Sequence, residues 1–432
     1  MAMPKEPLAK EPRETLNAIG QQAVAWYRTK HRDLPWRRTR NPYHIWISEC
    51  MLQQTQVATV IPYFQKFLLR FPDVESLAAA ELDEVYQLWA GLGYYRRARQ
   101  LHAAAQKVVE TNSAPFPNNV DDILDLPGIG KYTAHAIASF AFDSPCGIVE
   151  ANTQRLYARL IGCKSPISSS STQKTLWEYA TSLVKAWALP SGELNQALME
   201  IGSQVCKPKD PLCSVCPLQS YCTAYRLGQT DTIPPPKEKK VITPLRETAL
   251  LLQAPDGKWM LRRCKPSERW AGLWDFPRYD TTDSQSDQQA AQIAIDRFHE
   301  NYGVQLSIIR KCTELQHSVT RYRIRLDCYQ AALPKKLTTA QQQQLFGKAR
   351  SEKSQSDEAS TQPQSTGQGR GANILKEATP GRKSEINNRV IDVKPESEND
   401  VDELAWLPLS ELRNIALSSS GRKLCKWLES AS

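Results

Sequence analysis

The sequence predicts a multidomain chain with an all-α first half and a smaller mixed α/β domain after it. Three observations carry this reading. From about residue 11 to 228 the chain runs as successive amphipathic helices with short polar breaks, as in LNAIGQQAVAWYRTK and WISECMLQQTQVATVIPYFQKFLLRF. A Pro-rich basic segment, DTIPPPKEKKVITP (231–244), then interrupts the pattern as a stiff extended linker. Past it the period changes. ETALLLQAPDGKWMLRRC reads as two strands joined at Asp256-Gly257, RYRIRLDCY alternates polar and apolar residues as a half-buried strand does, and QQAAQIAIDRFHENYG between them reads as a helix. The boundaries therefore fall at 1–228, a linker at 229–244, and 245–432. A Gln/Ser/Lys/Glu-rich stretch at 337–400, with few large apolar residues, reads as a disordered insertion in the second domain.

At 432 residues the chain is long enough for two or three cores of ordinary size. No apolar run reaches the roughly 18 residues of a membrane span, and the start MAMPKEPLAKEPRETL lacks a hydrophobic signal core. The expectation is a monomer in the cytoplasm, nucleoid-associated through DNA, or in the nucleus if the cell has one. A net charge of +9 fits a polyanionic partner and points only weakly to nucleic acid.

The cysteines are more specific. Of eleven, seven are scattered singly and four crowd together as Cys206, Cys213, Cys216 and Cys222, with the spacing C-x6-C-x2-C-x5-C. In a chain without an export signal such crowding favours metal over disulfides. The compactness suits a 4Fe–4S cubane taking one thiolate per iron; a structural zinc site is the alternative. Lys207 and Lys209 lie inside the loop, which could face DNA.

LPGIGKYTAHAIASFAF (126–142) places Gly128 and Gly130 between two helical stretches. Backbone amides at the start of the second helix could there approach a phosphate, aided by the helix dipole, in a helix-hairpin-helix pattern; an ordinary helix-helix turn would look alike. In SECMLQQTQ, Glu49, Gln53 and Gln56 fall on one helical face as a polar stripe. In GIVEANTQRLYARL (147–160), Glu150 follows the apolar pair Ile148 and Val149. A carboxylate there needs a partner or a job: it serves a site, caps the following helix, or pairs with Arg155.

Together the hairpin, the cysteine spacing and the downstream acid resemble the endonuclease III superfamily of DNA glycosylases. Within it, PWRRTRNPYHIWISECMLQQTQVATVIPYF, GLGYYRRARQL and LNQALMEIGSQVC closely resemble the MutY-type adenine DNA glycosylases, over about residues 16–228 and more faintly beyond. The resemblance implies base excision repair of adenine mispaired with 8-oxoguanine or guanine in double-stranded DNA, the adenine being flipped into a pocket. It implies Glu49 as the general acid that protonates adenine N7. It implies a carboxylate stabilising the sugar cation where the family has Asp and this chain has Glu150, with Asn152 supporting it. The extra methylene moves that carboxylate by more than about 1 Å unless the backbone adjusts. Bifunctional relatives have a Lys nucleophile where this chain has Tyr132, and Lys131, one residue early, is turned about 100° away. The implied enzyme is therefore monofunctional, with Tyr132 assisting in the site or packing the second helix.

The same resemblance places Trp36, Arg37 and Glu200 at the adenine pocket, Glu200 accepting from the exocyclic amine. It places Gln54, Thr55, Leu92, Tyr94, Gly128 and Gly130 against DNA, with Gln54, Thr55 and Tyr94 near the vacated stack. Core packing for Trp36, a helix-surface position for Gln54 and a capped loop aromatic for Tyr94 are the ordinary alternatives. AGLWDFP and DELAWLPLSEL resemble the MutT-like (Nudix-like) lesion-recognition domain of that family, without the acidic box that holds metal for nucleotide hydrolysis. The family's Phe-Ser-His lesion loop corresponds here to Val319, Thr320 and Arg321, which keep only the hydroxyl. Rival readings are a mispair-binding protein that no longer cleaves and a pyrimidine glycosylase with lyase activity.

Overall fold

The computed structural model describes residues 11–111, 116–187, 190–236, 241–347 and 402–431. By its contacts the chain divides into two compact units. One comprises residues 1–245, 316–325 and 410–432, the other 246–315 and 326–409. Two late segments thus belong with the first unit, a division that is not contiguous in sequence.

The first unit is helical: α1 (Arg13–Lys30), α2 (Pro42–Leu52), α3 (Val57–Arg70), α4 (Val74–Ala78), α5 (Leu82–Trp89), α6 (Arg96–Glu110), α7 (Val120–Leu124), α8 (Lys131–Phe142), α9 (Ala151–Ile161), α10 (Ser170–Trp187), α11 (Ser191–Gln204) and the short α12 (Thr223–Arg226). Helix α1 buries Leu16, Ile19, Ala23, Val24 and Tyr27, the spacing of one helical face, and packs on α10 and α11. Helix α2 differs in kind. It starts on Asn41, whose side chain accepts from the Tyr43 and His44 amides, and it is buried from Ile45 to Met51 without a break, because α3, α6 and α8 all pack on it. Glu49 lies inside that run, so the fold desolvates its carboxyl by surrounding the helix.

The polar stripe expected over residues 49–56 does not form on one helix. α2 ends at Leu52, Gln54 takes a left-handed φ of 59°, and Gln56 is already the N-cap of α3. Glu49 and Gln56 therefore belong to different elements. Helices α7 and α8 form the expected hairpin: Asn119 caps α7, Leu126 and Ile129 are buried in the turn, and Gly130 is the N-cap of α8.

The second unit is built on β1 (Thr243–Leu252), β2 (Trp259–Arg263), β3 (Trp274–Asp275), β4 (Arg278–Asp280), α13 (Asp287–Tyr302), β5 (Ser307–Val319), β6 (Tyr322–Ala332), α14 (Thr339–Phe346) and β7 (Leu404–Leu407), apart from the first three residues of β1 and the β5–β6 tip at 316–325, which group with the first unit. The strands form two sheets, ordered β4-β1-β6-β5 and β3-β2-β7. The segments on either side of Asp256-Gly257 are both strands, as the pattern predicts, yet they lie in different sheets. A bridge between Gln253 and Trp259 and a 2.8 Å bond from the Ala254 amide to Lys258 O join them across the turn, and β2 pairs instead with β3 and β7. Helix α13 covers a core of Leu250, Leu252, Met260, Ala294, Ile295 and Phe298.

The stretch predicted to be disordered begins with a helix. Thr338 and Gln341 form a capping box, Leu345 is buried, and Phe346 stacks on Trp406 with ring centroids 4.8 Å apart. Two apolar anchors suffice there against a polar composition. The remainder of that stretch, from 348, lies outside the described residues, as do linker residues 237–240. In the first unit the final helix, α15 (Ser419–Ala431), buries Leu424, Cys425 and Leu428. Among the described residues no helix is long and apolar enough to cross a membrane.

Candidate active site

The first unit holds a cavity of about 500 Å³ where the ends of α2, α8, α9 and α11 meet. Glu49, Tyr132, Glu150, Asn152, Trp36, Arg37 and Glu200 all line it, so residues 164 positions apart in sequence face one space.

Glu49 is 5 % exposed, and its Oε2 accepts a 2.6 Å hydrogen bond from the Tyr132 hydroxyl. Burial pushes its carboxyl up to about 7; the Tyr132 bond and Arg37 oppose the shift, and Glu150 adds to it. The same pair drives Tyr132 well above the ordinary phenol range, through burial first and then the Glu49 charge, so Tyr132 holds its proton. Its hydroxyl also lies 3.9 Å from the Met199 sulfur. Tyr132 sits one residue into α8, which aims it inward, whereas Lys131 places its Nζ 4.1 Å over the Trp177 ring and does not line the cavity.

Glu150 is the N-cap of α9. Its Oε1 accepts from the Thr153 amide at 2.9 Å, its Oε2 from the Asn152 amide at 2.8 Å and from Asn152 Nδ2 at 3.3 Å, and the Thr153 hydroxyl closes a capping box. The capping and the site readings are therefore one arrangement: the longer side chain folds back onto the helix end while still lining the cavity. Burial raises its pKa and the two amides oppose the rise. Arg155 does not pair with Glu150. It donates to Asn152 Oδ1 at 3.1 Å, Gly202 O at 2.6 Å and Cys206 O at 2.7 Å, bracing α9 against the end of α11.

Across the cavity Glu200 is fully buried and its acceptor capacity is filled. Oε1 accepts from the Arg32 amide at 3.1 Å and Arg32 Nε at 2.7 Å; Oε2 accepts from Arg32 Nη2 at 2.8 Å and Arg37 Nη2 at 2.7 Å. Burial pushes this carboxyl up, but the arginine bonds outweigh it and hold it at about 2. A base amine would have to displace one of those bonds, so the geometry makes Glu200 the anchor that fixes Arg37 in the wall. Arg32 escaped the sequence analysis, since nothing in KHRDLPWRR marks one arginine over another. Trp36 is core and wall at once, 7 % exposed and edge-on to Phe64 at 5.4 Å.

Gln54 and Tyr94 are exposed and both left-handed, Tyr94 with φ 50°. Thr55 donates to Gln53 O at 3.4 Å. Leu92, expected against DNA, is 6 % exposed and packs inward, because the glycines on either side turn its side chain into the core. Gly128 has φ +76°, and a Cβ there would fall 2.5 Å from Gln100 Cβ, so this turn of the hairpin admits only glycine. Thr320 and Arg321 form the two-residue turn after Val319, both exposed, Thr320 with φ 53°. The Arg321 guanidinium lies 5.1 Å over the Tyr322 ring and donates to its hydroxyl at 3.0 Å.

Cys206, Cys213, Cys216 and Cys222 line a second cavity, walled by Leu156, Leu160, Val205 and Leu218. Arg159 Nη1 donates to the Cys206 sulfur at 3.3 Å. Among the described residues no three His, Cys, Asp or Glu side chains converge on a point that a single metal ion could fill.

The family described as HhH-GPD superfamily base excision DNA repair protein matches residues 47–181, and the NUDIX domain family matches residues 248–360. An adenine DNA glycosylase of Mus musculus is 44 % identical over 231 residues, 51 % of this chain and 44 % of its own. One from Buchnera aphidicola subsp. Schizaphis graminum is 35 % identical over 268 residues, 62 % of this chain and 76 % of its own. The match thus spans less than half of the mammalian relative and three quarters of the bacterial one. A solved thermostable thymine-DNA glycosylase aligns with 50 % of this chain and 98 % of its own at 29 % identity and a TM-score of 0.44. By its likeness to the bacterial relative, this protein belongs to the adenine DNA glycosylase family.

Proposed function

We propose that the chain hydrolyses the N-glycosidic bond of adenine mispaired with 8-oxoguanine or guanine in double-stranded DNA, leaving an abasic site without cutting the strand. The observation that carries the reading is the Glu49–Tyr132 pair inside a cavity whose opposite wall holds the capped Glu150. A carboxyl poised near 7 is protonated often enough at neutral pH to give its proton to adenine N7 and is a competent base afterwards. Tyr132, which keeps its proton, donates to Glu49 and orients it. As the C1′–N9 bond breaks, the bonding pair leaves with the protonated base and positive charge develops on the sugar. Glu150, held by two backbone amides, offers that cation a fixed negative charge at no cost of reorganisation. Water then adds at C1′ and gives up a proton to the Glu49 carboxylate, which the first transfer left as a base. With Lys131 drawn onto Trp177, no lysine among the described residues lines the cavity where a Schiff base would form, which supports a monofunctional reaction.

The four cysteines would hold a 4Fe–4S cluster. Their thiols share one apolar-walled cavity, and Arg159 donates to one sulfur, as a thiolate ligand favours. Such a group would tie α9 to the end of α11 and to α12. Within the NUDIX match we assign lesion reading to Val319 and the exposed turn of Thr320 and Arg321, residues that group with the first unit, without nucleotide hydrolysis.

The test is single-turnover adenine release from a duplex with adenine opposite 8-oxoguanine, for the wild type, Glu150→Asp and Glu150→Gln. Release by the wild type and its loss in Glu150→Gln is the expected result. A wild type that only binds, with release restored by Asp, would make the chain a recognition protein. Strand nicking without base or heat would revive the lyase reading.

A further inference from the structure

Arg97 on α6 has no place in the chemistry above, yet its guanidinium makes five hydrogen bonds. Nη1 donates to Cys50 O at 2.7 Å and Met51 O at 3.0 Å, the last turn of the helix that carries Glu49. Nη2 reaches Thr55 Oγ1 at 3.4 Å, Leu92 O at 3.3 Å and Gly93 O at 3.2 Å. Its plane lies 5.3 Å from the Trp89 ring and 5.6 Å from the Tyr94 ring.

None of these bonds goes to a carboxylate. A half-buried cation spent on carbonyls is an expensive arrangement, and burial lowers its pKa accordingly. What it achieves is geometric. The final carbonyls of α2 have no partner within their helix, since its C-cap Gln53 turns away, and a guanidinium there satisfies them and meets the negative end of the dipole. The GLGYY turn runs through Gly91 at φ 108°, Gly93 at φ 70° and Tyr94 at φ 50°. On the other side Gln54 stands at φ 59°. Non-glycine residues in this region are strained and persist only where surrounding contacts hold them. Only a planar fork reaches both loops at once; an ammonium is a point donor.

We propose that Arg97 is a positioning residue that locks the two left-handed exposed side chains, Gln54 and Tyr94, at a fixed separation and ties both to the end of the Glu49 helix, so that base extrusion and the general acid are set by one guanidinium. This rests on the proposed function for the act of extrusion, and not for the geometry.

The experiment uses the full chain and Arg97→Gln. A duplex with 2-aminopurine in place of adenine opposite 8-oxoguanine reports unstacking by a rise in fluorescence on binding. Adenine release is measured in parallel from the mispaired duplex and from one with adenine opposite an abasic site, where extrusion needs little help. The fluorescence rise is lost in the variant, release from the mispair falls by up to about 10²-fold, and release opposite the abasic site changes little. An equal fall on both substrates would make Arg97 a support of the fold or the chemistry, and no fall on either would remove it from the mechanism. Should Arg97→Gln not fold, Arg97→Lys, which keeps a donor at the α2 end, carries the same comparison. A wild type that releases no adenine sinks the proposed function, while the fluorescence, which needs only binding, still decides the role of Arg97.

Discussion

The two walls of one cavity treat their buried glutamates in opposite ways. Glu49 meets a phenol and, farther off, an arginine; its carboxyl is held near 7. Glu200 meets two guanidiniums and a backbone amide; its carboxyl is held near 2. Burial pushes both up, so the partners alone decide the direction. The difference teaches where a proton can move: Glu49 exchanges one near neutral pH, whereas Glu200 is a permanent anion fixing Arg32 and Arg37.

The comparison breaks most visibly at the chemistry. Glu49→Gln should lower single-turnover base release by about 10²–10⁴-fold while duplex binding is retained; loss of both would make Glu49 structural. On the other wall Glu200→Gln leaves two arginines without their counter-ion. It should cost about 3–5 kcal/mol of stability at pH 7, read by denaturant unfolding. Because the folded pKa of Glu200 is depressed, its contribution is present above the unfolded value of 4.5 and lost as pH falls toward 2, so the penalty of the variant shrinks in acid. A penalty independent of pH would mean packing and not charge.

The smallest effect has the opposite sign. Glu49 binds its proton more tightly folded than unfolded, so stability declines as pH rises from 4.5 through about 7. Glu49→Gln, active-site damage notwithstanding, should raise the Tm at pH 8 and leave it nearly unchanged at pH 4. A Tm lowered at both values would show that the Tyr132 bond outweighs the desolvation of the charge.

Legibility followed the range of the interactions involved. The hairpin, the cysteine run and the period change after residue 244 rest on neighbours in sequence, and they read directly. The stripe over residues 49–56 failed because Arg97, some forty residues on, captures the α2 carbonyls and lets the chain break at Gln54. The strands around Asp256-Gly257 were visible as strands, but their pairing was not, since β7 arrives from beyond residue 400 to claim β2. Glu200 was visible as a site residue but its saturation was not, because the bond from Arg32 depends on a contact 168 positions long.

By itself the sequence determined which residue types were available: a carboxyl in a mostly apolar helix, a carboxyl before a helix start, no lysine at the nucleophile position, and four thiols in one loop. Local physics suffices for these, because a helix start or a cysteine spacing is set within a few residues. Only the tertiary structure decided what each group is. It surrounded α2 so that Glu49 titrates near 7, saturated Glu200 so that it stays charged, folded Glu150 back onto its own helix, and drew Lys131 onto Trp177. The reason is that the free energy of a charge depends on the solvent and the partners around it, and those arrive from distant parts of the chain.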